Sequence, residues 1–283
     1  MTRLLMITTG GTIASGNSRG GGLTPEKNGS EMLPKLKGVQ FDVLDLYAAD
    51  STDVTPAHWR RLHNAVIENL PEYDGIVILH GTDTMAYTGA VLAFTVDTAK
   101  PVILTGSMLP FDEPDSDAPG NIQFAALIAK FAKYPGVNLA FANSVAGGAD
   151  IIKVSSCEKN AFRRYADFKP ERKYRFPEHD GIFPAVVRLT PFTQGTDISR
   201  AAENKAGIVI ETYGAGGIPD NDITLVISEL AKRIPVVISS PCRGGTDLSR
   251  YEVGRRALEA GASEAGRRST ECAAVELWLK ENQ

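Results

Sequence analysis

Apolar residues in this chain come in two rhythms, and their alternation predicts its architecture. Residues 76–79 (I-V-I-L) are continuously apolar and β-rich between Gly75 and Gly81, which is how a strand buried on both faces of a parallel sheet reads. Residues 4–7, 41–46, 101–105 and 137–141 read as further strands. Between them the spacing turns helical. Trp59, Leu62, Val66, Ile67 and Leu70 recur on one face, after Thr55 and Pro56 placed as N-cap and first helical residue. Residues 85–96 are apolar almost throughout, as in a well-buried helix, and residues 121–133 form another helical stretch. Strand and helix in repeated alternation predict a parallel, doubly wound sheet with right-handed crossovers.

The pattern breaks over residues 163–181, which are charged, spotted with aromatics and punctuated by Pro and Gly. Beyond the break, strands are expected at 186–189, 207–210 and 236–238, with helices at 223–234, 251–260 and 271–281. The expected organisation is α/β: a larger N-terminal domain over residues 1–165, a linker over 166–184 and a smaller C-terminal α/β domain over 185–283.

Polar residues gather at the carboxyl ends of the expected N-terminal strands, where open α/β sheets bind ligands. The first strand leads into T-T-G-G-T-I-A, the second into Asp50-Ser51-Thr52-Asp53, and the central one into His80-Gly81-Thr82-Asp83-Thr84. Thr-Asp-Thr ahead of a helix is also an ordinary N-cap. The paired glycines match neither Gly-x-Gly-x-x-Gly nor a nucleotide P-loop. What remains is a tight turn that presents Thr12 beside bare backbone N–H groups, suited to an oxyanion or a small carboxylate. Residues 15–30, rich in glycine and without periodicity, read either as a lid or as a tolerated surface loop.

Composition narrows the options. Of 283 residues, 43% are hydrophobic and 23% charged, ordinary globular values that favour neither disorder nor a membrane span. A net charge of −4 and a pI near 5.7 leave no electrostatic footprint for nucleic acid or an anionic membrane. The pairs Arg163-Arg164 and Arg267-Arg268 read as solvated faces. Cys157, Cys242 and Cys272 fit neither a disulfide framework nor a Cys-x-x-Cys site, and are expected as buried small hydrophobes. His58, His63, His80 and His179 lack zinc-site spacing. Asp112, Glu113, Asp115 and Asp117 share one loop without EF-hand spacing and read as a solvated connection, so no metal is expected. The apolar run before the first glycines is too short for a signal peptide, and a cytoplasmic setting is the expectation.

With Thr12, Ser51, Thr82 and Asp83 at those strand ends, and Lys153 standing as a single lysine after Gly147-Gly148, the chain resembles the bacterial-type L-asparaginase family. The matching motifs are T-G-G-T-I-A at 9–14, D-S-T-D-V-T-P at 50–56, H-G-T-D-T at 80–84, L-T-G-S-M-L-P at 104–110, Y-G-A-G-G-I-P at 213–219 and R-Y-E-V-G-R-R-A-L at 250–258. They stand in family order over nearly the whole chain, and the first and third together are highly specific. The resemblance implies hydrolysis of L-asparagine, with weak L-glutamine turnover allowed, to the acid and ammonia, without a cofactor, in a homodimer or homotetramer. It implies Thr12 as nucleophile and Thr82, Asp83 and Lys153 as a second catalytic cluster. By the same resemblance Asp83 is expected to take the substrate's α-ammonium, Ser51 and Thr52 to hold its α-carboxylate, and Gly11 and Thr82 also to line the substrate. Those residue types suit the chemistry, because a threonine hydroxyl must hand off its proton during attack and a zwitterion needs both a carboxylate and hydroxyl donors.

Two departures from the family pattern stand out. The family's lid loop often carries a tyrosine, where this glycine-rich segment has Leu23 and none. Family chains also usually continue well past the region of Trp278, so a trimmed C-terminal domain is expected. Three other readings compete: an ammonia-delivering component of a tRNA-charging complex, of a type that carries an extra N-terminal domain; a non-catalytic amino-acid-binding or regulatory protein; and a nucleotide-binding α/β domain, opposed by the missing phosphate motifs.

Overall fold

The computed structural model describes residues 1–17, 23–25 and 28–283. These form two compact units, Met1–Arg163 with Pro170–Lys173, and Arg164–Lys169 with Tyr174–Gln283. From the N-terminus the chain runs β1 (Thr2–Gly10), a 3₁₀ turn (Thr12–Ala14), β2 (Ser15–Asn17), β3 (Leu23–Pro25), β4 (Val39–Ala49) and α1 (Pro56–Asn69). It continues through β5 (Gly75–Leu79), α2 (Met85–Thr95), β6 (Pro101–Thr105), α3 (Ala118–Phe131), β7 (Gly136–Phe141), β8 (Ser144–Gly147), β9 (Ile151–Lys153) and β10 (Phe162–Arg164).

Six of these strands form one sheet in the order β4-β1-β5-β6-β7-β8. The first five are parallel, and β5 and β6 are buried along their whole length, as a strand covered on both faces must be. On one face Leu4, Met6, Val77, Leu79 and Ile103 pack with Ile122, Ala125, Ala126 and Ala129 of α3. The alternate residues Leu5, Ile7, Ile76 and Ile78 are buried on the other face. Helix α2 is buried all round, hence its lack of an amphipathic stripe.

The sixth strand adds to the expected parallel pattern. β8 runs antiparallel to β7 after a two-residue turn in which Ala142 and Asn143 have φ of 46° and 60°. Two consecutive positive φ values make the turn that matches strand twist, but Ala-Asn is a faint signal beside Asn-Gly. The expected lid falls partly outside the described residues. Within them β2 and β3 pair as an antiparallel hairpin, and a 3₁₀ turn at Gly29–Met32 follows.

The acidic loop is only partly solvated. Asp112, Glu113 and Asp115 are exposed, whereas the Asp117 carboxylate accepts from the backbone N–H groups of Met108 (3.0 Å) and Leu109 (3.1 Å) and from Asn121 Nδ2 (3.0 Å). A carboxylate so supplied with donors belongs to the fold, because it fixes the turn after β6. Among the described residues, no group of three His, Cys, Asp or Glu is placed to hold a metal ion.

The second unit holds a parallel sheet ordered β11 (Ala185–Arg188), β12 (Ile208–Glu211), β13 (Val236–Ser239) and β14 (Ser263–Glu264). Its helices are α4 (Gly195–Ala201), α5 (Asp222–Ala231), α6 (Glu252–Glu259) and α7 (Thr270–Glu281). Ile208, Ile210 and Ile238 pack on one side with Ile198, Ile223, Ile227 and Ala257, while Val209 packs on the other with Ala273, Ala274 and Leu277 of α7. The segment after Lys173 is strapped to α7: Phe176 lies edge-on to Trp278 at 5.7 Å, and Trp278 Nε1 donates to the Asp180 carbonyl at 3.0 Å. Of the cysteines, only Cys272 is buried as expected, and Cys157 and Cys242 are exposed free thiols. Arg268 is not a solvated charge either, since it pairs with Glu276 of α7 where both are largely buried. Among the described residues, no helix is long and apolar enough to cross a membrane.

Candidate active site

Three strand ends of the first unit meet through their backbones. Gly10 and Gly11 close β1 with φ of 91° and 81°, a conformation that L side chains rarely adopt. A Cβ on Gly11 would lie 2.4 Å from the Cα of Gly81, and one on Gly81 would lie 2.5 Å from Cβ of Ser51. Only glycine permits that approach. It brings the turns that carry Thr12, Ser51 and Thr82 side by side at the ends of β1, β4 and β5. The register of β1 against β4 slips between Thr8 and Gly10, so that Gly10 pairs with Ala49 just ahead of Ser51.

The expected bare N–H groups do not include Gly11's own, which donates to the Ala49 carbonyl at 2.9 Å. Gly11 therefore contributes closeness, and its donor is committed to the sheet. Thr12 opens the 3₁₀ turn half-buried, while its neighbour Ile13 is buried in the core and anchors the turn.

Lys153, at the end of β9, joins Thr82 and Asp83 across some seventy positions of sequence. Its Nζ donates to Thr82 Oγ1 at 2.8 Å and to Asp83 Oδ1 at 2.5 Å. Thr82 is buried, Lys153 is 20% exposed and Asp83 is 52% exposed, so the carboxylate faces solvent from a floor that does not. The other Asp83 oxygen accepts from Ser51 Oγ at 3.4 Å, and the Asp83 N–H donates back to Ser51 Oγ at 3.1 Å. Thr84 completes the turn by donating its hydroxyl to the Ser51 carbonyl at 2.7 Å. An ion pair this open contributes at most ~1 kcal/mol to stability, which leaves placement as its main effect.

Thr52 stands apart from this cluster. Its side chain is exposed and its hydroxyl donates to Asp50 Oδ1 at 2.7 Å, with its N–H on the same oxygen at 2.8 Å. Those two hydrogen bonds, the backbone one first, hold the Asp50 carboxyl below its ordinary value. Asp50 is thus the cap of the 3₁₀ turn that presents Ser51.

Behind the turn lies a feature the sequence reading did not single out. His80 is fully buried, with Nδ1 2.6 Å from the Gly81 carbonyl and Nε2 3.0 Å from Thr88 Oγ1. Burial pushes its pKa down to about 4, so the ring is neutral near pH 7. A histidine at the end of a wholly apolar strand, just before glycine, was the available signal.

Comparison with known proteins identifies the family of the whole chain. Residues 3–172 match the family model described as Asparaginase, N-terminal, and residues 185–280 match the Glutaminase/Asparaginase C-terminal domain. The L-asparaginase of Thermococcus kodakarensis is 39% identical over 97% of this chain and 91% of its own length. The solved structure of the thermostable L-asparaginase from the same organism has a TM-score of 0.86 at 38% identity, covering 99% of this chain and 93% of that one. A component of the glutamyl-tRNA(Gln) amidotransferase of Methanosarcina mazei is 28% identical over 99% of this chain and 74% of its own length.

Proposed function

The chain belongs to the asparaginase family, and on that premise we propose that it hydrolyses L-asparagine to L-aspartate and ammonia with Thr12 as nucleophile. The observation that carries this reading is the Lys153 ammonium shared between Thr82 Oγ1 and Asp83 Oδ1, with Ser51 on the carboxylate's other oxygen. Asp83, half open to solvent, receives the substrate's α-ammonium while Ser51 orients its α-carboxylate. Thr12 Oγ attacks the side-chain amide carbon, and its proton passes to the departing nitrogen, which leaves as ammonia. Water then cleaves the resulting ester, returning a proton to Thr12 and releasing aspartate. Lys153 and Thr82 carry protons in these exchanges, which is why a lysine, able to give up a proton, stands there. No step calls for a cofactor.

We extend the proposal in three respects. Asparagine is preferred, but one added methylene discriminates by only ~1–3 kcal/mol, so glutamine turns over weakly. The protein works as a homodimer or homotetramer, in keeping with the family pattern. Two exposed free thiols support a reducing, cytoplasmic setting.

Ammonia release from both amides, with Thr12→Ala as control, tests the reading. Thr12→Ala is expected to fold normally and to lose at least ~10⁴-fold in kcat, the scale on which a nucleophile acts. Wild-type protein that binds aspartate yet releases no ammonia would replace the enzyme with a binding protein.

A further inference from the structure

The turn that carries Thr82 and Asp83 is held from behind by hydrogen bonds that run through three elements. Trp59 on α1 donates Nε1–H to Thr88 Oγ1 on α2 at 3.0 Å. Thr88 Oγ1 meets His80 Nε2 at 3.0 Å, and His80 Nδ1 meets the Gly81 carbonyl oxygen at 2.6 Å. His80 and Thr88 are 1% and 0% exposed, so water does not compete for these links.

The direction of every proton in this chain follows from donor chemistry. Indole N–H only donates, and a carbonyl oxygen only accepts. His80 Nδ1 must therefore carry the proton facing Gly81. A neutral imidazole has one proton, so Nε2 is bare and accepts from the Thr88 hydroxyl, whose oxygen in turn accepts from Trp59. The order Trp59 to Thr88 to His80 to Gly81 has a single orientation. The backbone N–H of His80 is pinned as well, to the Thr105 carbonyl at 2.9 Å.

The Gly81 carbonyl shares a rigid plane with the N–H of Thr82. The 81–82 peptide bond is trans, so the two groups point to opposite edges of that plane. Holding the carbonyl against His80 aims the Thr82 N–H the other way.

We propose that His80 is a positioning residue for the hydrolysis: the Trp59–Thr88–His80 chain sets the 81–82 peptide plane, and so aims the Thr82 N–H and places Thr82 and Asp83 for Lys153. The inference rests on the asparaginase reading and assigns one more part of that site. A donor held at a fixed angle stabilises charge that develops during reaction, without being repaid in substrate affinity. Misaiming it lowers kcat and leaves KM nearly unchanged. A purely structural role for His80 would show as a change in melting temperature alone.

The test compares Thr88→Val, which removes the hydroxyl and keeps the shape, with Thr88→Ser, which restores the hydroxyl. Melting, kcat and KM for asparagine are measured alongside nitrogen-15 signals of the His80 ring. We expect Thr88→Val to fold, with kcat lower by about 10–100-fold, somewhat less than the loss of a whole oxyanion donor. KM should stay within about threefold, and Thr88→Ser should recover most of kcat. Wild-type His80 should show its proton on Nδ1, and Thr88→Val, which removes the donor to Nε2, should shift the Nε2 signal while the proton stays on Nδ1 facing the Gly81 carbonyl. If Thr88→Val does not fold, Trp59→Phe removes only the outer donor and should lower kcat by a few-fold at constant KM.

A folded Thr88→Val with wild-type kcat, an equal loss in Thr88→Ser, or an Nε2 proton in the wild type would each overturn the proposal. Failure of the asparaginase reading looks different, since wild-type protein would then release no ammonia. In that event the ring tautomer and the response of its Nε2 signal to Thr88→Val still decide whether the chain is directed as described.

Discussion

The two units solve the same geometric problem and reach opposite results. Each has a parallel sheet whose strands end in hydroxyl and carboxyl side chains, the place where α/β folds bind ligands. In the second unit those groups consume one another. Thr212 Oγ1 donates to the Ser239 carbonyl at 3.2 Å, Ser239 Oγ meets Thr270 Oγ1 at 3.0 Å, and Thr270 donates to Glu211 at 2.8 Å. Tyr165 donates its hydroxyl to the Ser240 carbonyl at 2.8 Å, and Ser240 caps the Gly214 carbonyl at 2.5 Å. The first unit leaves Asp83 half open above a buried Thr82. Position at a strand end is thus a poor guide to chemistry. What separates a site from a polar core is whether its hydrogen-bonding capacity is already spent.

The sharpest way to break this contrast is to remove one group from each end. In the open cluster, Lys153→Met should cut kcat on asparagine by about 10²–10⁴-fold, the range for a positioned proton-transfer group, with little change in melting. Lys153→Arg should fail nearly as badly, because guanidinium keeps the charge and holds its proton. Near-wild-type turnover in a folded Lys153→Met protein would take lysine out of the mechanism.

Acid should act on the two units with opposite signs. His80 has a folded value near 4 against 6.5 unfolded, so the unfolded chain binds the proton first as pH falls. Its contribution is complete above about pH 6.5 and is lost towards pH 4, up to about 3 kcal/mol at 1.36 kcal/mol per pKa unit. In the second unit Glu271 is raised above 4.5, by burial first and then by repulsion from Glu211. That group favours the fold at low pH, and its contribution fades as pH rises through the raised value. The chain's two tryptophans, Trp59 and Trp278, lie one in each unit, so Trp278→Phe and Trp59→Phe variants report the first and second units separately. Denaturation between pH 7 and 4 should weaken the Trp59 signal's midpoint more than that of Trp278. A parallel fall in both would remove the contrast.

The smallest effect is expected in the closed cluster. Thr270→Val strands Ser239 and Glu211 beside a methyl group, and should cost about 1–3 kcal/mol of stability while leaving kcat on asparagine unchanged. A loss of turnover there would show that the second cluster serves catalysis after all.

Much of this was legible in the sequence, though unevenly. The apolar runs at 76–79 and 101–105 identified the two strands buried end to end, since a chain covered on both faces has no reason to alternate. The seven-residue α4 and the two-residue β14 are too short to establish a period, and β8 hides behind an Ala-Asn turn. Thr12, Ser51 and Thr82 were visible as strand-end residues, but Lys153 joined them only through family resemblance. Its partners lie about seventy residues away, and periodicity carries no information over that distance. The Trp59–Thr88–His80 chain was illegible for the same reason, because its members sit on three elements and each alone reads as core. Thr52 and Asp117 show the reverse: their side chains are tied to nearby turns, a local preference of such residues that competes with any wider role.

The glycine contact beneath the site bears on how this enzyme can be altered. Gly11 touches Gly81 and Gly81 touches Ser51 so closely that one methyl group anywhere in the stack would push β1, β4 and β5 apart. Randomised libraries seeking a new amide preference would waste their diversity at positions 11 and 81, where even alanine is lethal to the geometry. The productive codons are those above that floor, where side chains such as Thr52 already meet solvent.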